Sequence, residues 1–80
     1  MRIPRDLSGS ALVKQLGRLG YQISRQTGSH IRLTTRVHGE HHVTIPSHGS
    51  LRIGTLATIL DAVAAHHGVT REELLHRLLD

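Results

Sequence analysis

The chain has 80 residues, 38% of them apolar, with ten Lys and Arg against six Asp and Glu, eight His and no Cys. That length supports one domain, 1–80, and a domain so short buries only about 60% of its unfolded surface. Phe and Trp are absent and Tyr21 is the single aromatic residue, so the core must be aliphatic and a base-stacking platform of several rings is excluded.

The net charge of +4 with His neutral suits a polyanionic partner, although a solvated basic surface accounts for it as well. A chain without Cys needs no disulfide, has no thiolate and fits a reducing compartment. No apolar run approaches membrane-spanning length and no secretory leader is recognisable, so the expectation is a cytoplasmic protein without membrane contact.

From Ser8 to Leu19, the apolar residues Leu12, Val13, Leu16 and Leu19 form the stripe of an amphipathic helix, capped by Ser8 and stopped by Gly20. Gly17 inside it costs about 1 kcal/mol relative to Ala, which suggests tight packing at that point. Lys14 and Arg18 lie one turn apart and form a basic strip.

The period then becomes two. Tyr21 and Ile23 alternate with Gln22 and Ser24, Thr27-Gly28-Ser29 supplies a turn, and Ile31 and Leu33 alternate with His30, Arg32 and Thr34. A second turn around His38-Gly39-Glu40 leads to Val43 and Ile45, and Pro46 ends that strand. Leu56, Ile59, Leu60 and Val63 restore the helical stripe up to Gly68. Thr70-Arg71-Glu72-Glu73 reads as a capping box ahead of Leu74, Leu75, Leu78 and Leu79.

The predicted order is α-β-β-β-α with an extra short C-terminal helix, an α+β domain whose three-stranded antiparallel sheet is covered by helices on one face. Ile31, Leu33, Val43 and Ile45 should face the helices. His30, Arg32, Thr34, His42 and Thr44 should face away.

His30 follows Gly28-Ser29, a turn whose amides can approach a phosphate. Imidazole titrates near neutrality and can take a proton from a ribose 2′-hydroxyl or give one to a leaving 5′-oxygen. Arg32, on the same face, can offset charge building on the phosphoryl oxygens. Gly-Ser-His alone does not separate this reading from an ordinary surface histidine.

Other chemistries have less support. His38, His41, His42 and His48 cluster in sequence, but adjacent strand residues point to opposite faces and Glu40 is the only nearby carboxylate, so no metal site is expected. His66 and His67 are explained by a favourable cation at a helix C-terminus. There is no nucleophile-elbow motif and no phosphate loop of the Walker type, and no cofactor is implied.

These residues resemble the HicA toxins, also called YcfA-like proteins. The resemblance runs through Leu16, Leu19-Gly20-Tyr21, Gly28-Ser29-His30, Val43-Thr44-Ile45-Pro46 with His48, Leu51, Gly54-Thr55-Leu56 and Ile59-Leu60, over roughly residues 8 to 68. It implies a double-stranded-RNA-binding-domain-like fold and an endoribonuclease that cleaves mRNA and arrests growth, with His30 as the catalytic histidine. It also implies a HicB-type antitoxin that occludes the site and supplies any contact with DNA.

Candidate phosphate contacts are Gly28, Ser29, Arg32, Lys14, Arg18 and Arg25. Many members carry more Lys around the hairpin, where this chain has Arg25, Arg32, Arg36 and Arg52 with several His. Gly54 and Thr55 are read as structural, Gly54 giving a tight lead into the helix and Thr55 a hydrogen bond in its first turn. His48 either assists His30 or is simply exposed, and residues 1–7 are given no role. The competing readings are a noncatalytic double-stranded-RNA-binding module, which needs about 16 base pairs of footprint, and an interaction subunit that has lost its nuclease.

Overall fold

The computed structural model describes residues 3–4, 6–47 and 49–79. The Ser8 hydroxyl accepts the Ala11 N–H at 3.1 Å, satisfying one of the amides that a helix start leaves unpaired. Helix α1 runs Gly9–Leu16 and tightens into a 3-10 turn, Gly17–Leu19, before Gly20. The tight packing expected at Gly17 is not there, because a Cβ at that position would meet nothing within 4 Å. Gly17 instead lies where the α-helix passes into the 3-10 turn. The close approach is at Gly9, where a Cβ would fall 1.9 Å from the Pro46 carbonyl oxygen.

Three antiparallel strands follow in the order β1 (Gln22–Thr27), β2 (His30–Thr35) and β3 (His41–Pro46). Thr27 pairs with His30 across the two-residue turn. Gly28 takes φ 56 there, the positive value that a type II′ hairpin turn asks of its first central residue. Helix α2 spans Ile53–His67 and α3 Arg71–Leu79.

Ile31, Leu33, Val43 and Ile45 are buried in one cluster with Leu12, Leu16, Leu56, Leu60 and the leucines of α3. Their strand neighbours His30, Arg32, His42 and Thr44 are exposed, as the two-residue period requires. The sheet thus has one apolar face and one open face.

The alternation read from Tyr21 to Ser24 holds for sidedness, with Tyr21 buried and Ile23 opposite Leu33, but within β1 it brings no burial. Every residue of this strand is exposed, and Ile23 keeps 55% of its surface although its partner Leu33 keeps none. The helices pack against β3 and one another and leave β1 overhanging. A β-bulge between Ile23 and Arg25 then shifts the register, so residues beyond it change face.

The start of α2 also differs from expectation. Arg52 stands at the N-cap without a side-chain bond, Gly54 has open space around it, and the Thr58 hydroxyl, not that of Thr55, bonds back to the first turn, donating to the Gly54 carbonyl at 3.0 Å. Leu56 does begin the buried stripe. The capping box forms as read, with Thr70 N–H donating to Glu73 and Glu73 N–H to Thr70 Oγ1, both at 3.1 Å. Arg71 forks onto Asp61 at 2.7 and 2.6 Å, linking α3 to α2.

Tyr21, His38, His41, His66 and His67 meet where the β2–β3 turn touches the C-terminal end of α2. The rings of His41 and His66 stack with centroids 4.4 Å apart, and His67 packs edge-on against His66, His38 and Tyr21. Tyr21 Oη lies 2.8 Å from His41 Nδ1 and 3.3 Å from His67 Nε2. His66 Nε2 bridges the carbonyls of Val37 and Gly39 at 3.0 Å each.

Burial pushes the Tyr21 hydroxyl up to about 12. Burial, then the neighbouring imidazoles and for His67 also Arg77, hold His41 and His67 below the usual 6.5. His66 and His67 do end α2 as read, while burial first and then the neighbouring cationic groups favour the neutral ring of His67. No group of three or more metal-ligating side chains among the described residues is arranged to hold an ion.

The unfolded chain takes up protons on His41 and His67 near 6.5, and the folded chain only at lower pH. Their contribution is therefore complete above about pH 6.5 and is lost as pH falls from there through the folded values. Asp61 and Glu73, held below their ordinary values by Arg71 and by Thr70, lose theirs only in stronger acid. Thermal melts should show Tm falling as pH drops below about 6.5, with a shallower fall in His67→Gln.

Candidate nucleic-acid face

The open face of the sheet is built by the β1–β2 hairpin. His30 begins β2, with Thr27 beside it on one side and Pro46 on the other. The Ser29 carbonyl accepts both the Ser47 N–H at 2.6 Å and the Ser47 hydroxyl at 3.0 Å. This double bond to the loop after β3 fixes the turn that carries His30. His48 lies outside the described residues.

Two imidazoles stand on this face. His42 is engaged, with Nδ1 2.7 Å from Thr34 Oγ1 and Nε2 3.2 Å from Glu40 Oε2, while Thr34 donates on to Ser24 at 2.8 Å. His30 is exposed, and its ring takes no hydrogen bond among the described residues. Of these two, His30 is thus the one available to a ligand without breaking an existing contact.

The bulge decides where Arg25 goes. Counting by twos from Ile23 would send Arg25 to the helix side. The shifted register pairs Arg25 with Arg32 instead, and cross-strand partners share a face. Two guanidinium groups therefore stand opposite one another on the open face, both exposed and neither paired with a carboxylate among the described residues. Like charges directly opposite are unfavourable by themselves, and a polyanion would offset the repulsion.

Of the sequence-derived contacts, Gly28, Ser29, Arg25 and Arg32 therefore come together around His30. Lys14 and Arg18 do not join them. Both lie on the helix layer, across the sheet from Arg32, and Arg18 Nη1 donates to the Leu78 carbonyl at 3.3 Å near the end of α3. A cation closing a helix C-terminus is a structural contact.

Arg52 was absent from the sequence-derived contacts. It lines a cleft of about 230 Å³ with Pro46, Ser50, Leu51 and Thr55, adjoining the end of β3 that pairs with His30. The available signal was its position, a cation just ahead of a helix N-terminus, where positive charge is disfavoured unless an anion is present.

A family model described as HicA toxin of bacterial toxin-antitoxin matches residues 9–64. The chain belongs to the HicA toxin family. The match takes in α1, all three strands and most of α2, and stops short of the sequence-derived limit near residue 68. The HicA family places the chain in a toxin–antitoxin pair, with an antitoxin as its partner. Comparison with curated proteins and with solved structures returned no match. Among the described residues, no helix is long and apolar enough to cross a membrane.

Removing one guanidinium from the facing pair should relieve repulsion. Arg25→Gln is expected to raise stability by a few tenths of a kcal/mol, at most about 1, in urea unfolding at low salt. The gain should shrink at high salt, where charge repulsion is screened.

Proposed function

We propose that this HicA toxin is a metal-independent endoribonuclease that cleaves mRNA in the cytoplasm, with His30 exchanging a proton with the reacting RNA. The observation that carries the reading is the arrangement of the hairpin: an unengaged imidazole beside the Gly28-Ser29 turn, on the face where Arg25 and Arg32 stand opposed without counter-charge.

In such a cleavage the RNA supplies its own nucleophile. The ribose 2′-oxygen bonds to the adjacent phosphorus, the P–O5′ bond breaks, and the products are a 2′,3′-cyclic phosphate and a 5′-hydroxyl. One proton leaves the 2′-hydroxyl and one reaches the 5′-oxygen. His30 exchanges one of them, and the other passes through water or a second group. Arg25 and Arg32 hold the phosphates on either side and stabilise charge on the phosphoryl oxygens, while the amides of Gly28 and Ser29 approach the backbone.

A HicB-type antitoxin would restrain the activity by covering this face and would provide any contact with DNA. The absence of an aromatic platform is consistent with recognition by charge and shape.

Cleavage of a long single-stranded RNA by the antitoxin-free chain, with EDTA present, tests the reading. Wild type should cut and His30→Ala, at matched circular dichroism, should lose about 10²–10⁴-fold in rate. Full activity in a folded His30→Ala protein would sink the assignment. Arg32→Gln should weaken RNA binding and lower the salt slope by about one, whereas Lys14→Ala should change either much less.

A further inference from the structure

The edge of β1 carries a second surface, away from His30. A groove of about 680 Å³ is lined by Gln22, Ile23, Ser24, Thr34, Arg36 and Val37, at the end of the hairpin opposite the Gly28-Ser29 turn. It includes two of the four large apolar side chains left exposed among the described residues, Ile23 at 55% and Val37 at 45%.

The groove reaches around the strand edge. Ile23 shares the helix side with its partner Leu33, while Gln22, Ser24 and Thr34 lie on the open face. A strand laid along this edge would send alternate side chains to both sides, one set onto Ile23 and Val37 and the other toward Ser24 and Thr34. Among the described residues, the outward backbone groups of β1 have no neighbouring strand, because the sheet order is β1-β2-β3.

Two features limit the occupant. The only charged residue lining the groove is Arg36, in a chain of net charge +4, so a carboxylate-bearing segment is complementary and a basic one is not. The bulge between Ile23 and Arg25 interrupts the outer edge, which confines pairing to the stretch around Gln22–Ser24 and keeps it clear of Arg25 and Arg32.

We propose that this edge takes a short, extended, acidic segment of the antitoxin as a fourth strand, with its apolar side chains on Ile23 and Val37 and its carboxylates toward Arg36. The proposal rests on the pairing with an antitoxin that family membership gives, and is independent of whether His30 cleaves RNA. The groove is then an anchor remote from the proton-transferring histidine, and the rest of the antitoxin is left free to cover the open face.

Amide exchange of the full-length chain, alone and with the antitoxin of its own pair, is the test, together with a double variant, Ile23→Asp with Val37→Asp. The antitoxin should slow exchange at Gln22–Ser24. The double variant, at matched circular dichroism, should lose at least about tenfold in antitoxin affinity, equivalent to 1.4 kcal/mol, while RNA cleavage by the free chain is unchanged. Unaltered exchange at these amides, or full antitoxin affinity in the folded variant, overturns the proposal. So does protection of the same amides by RNA alone, or a wild-type dimer that the variant abolishes, since the occupant would then be nucleic acid or a second copy. An inactive wild-type chain whose β1 amides are still protected by antitoxin would reject the nuclease reading and keep this one.

Discussion

Among the described residues, one largely aliphatic layer holds the buried apolar side chains. Ile31, Leu33, Val43 and Ile45 from the sheet and the leucines of three helices fill most of it, and the one aromatic side chain, Tyr21, already belongs to it. The sheet is therefore covered once, and by helices that pack on β3 and leave β1 overhanging. An open polar face and a bare apolar edge both follow from that single covering, since what the layer does not reach is left to water, RNA or another protein.

Within that frame the bulge in β1 has the largest local effect. One displaced residue moves Arg25 from the side of Ile23 to the side of Arg32. It concentrates positive charge beside His30 and also breaks the strand edge. The same irregularity separates two surfaces along one strand, with the cationic pair on the turn side of the bulge and the apolar groove on the other.

The architecture was legible because its signals are local and redundant: Ser8 and the Thr70 box at helix starts, Gly28 at the hairpin, and strict alternation in β2 and β3. The exposure of β1 was missed because alternation says which residues share a side, not whether anything lies above them, and a bulge has no residue signature here. Lys14 and Arg18 form a strip in sequence, yet only the packing of α1 against the core puts them across the sheet from Arg32, and only the fold brings Arg18 to the end of α3. The contacts of His66 and His67 join positions far apart in the chain, so a helix-end rule stood in for an environment that sequence proximity does not display. Arg52 was passed over although its place ahead of a helix start was visible and its cleft is lined by near neighbours in sequence, Pro46, Ser50, Leu51 and Thr55.

The lone tyrosine has a use of a different kind. Tyr21 is the only chromophore of its class in the chain, and its hydroxyl is held between His41 and His67, at the end of the sheet away from His30. Its ultraviolet absorbance and emission therefore report on the imidazole lock between the turn and α2, with no other ring to obscure them. RNA bases absorb strongly in the same region, so this signal follows the integrity of the fold in the RNA-free chain and would be masked during a cleavage assay.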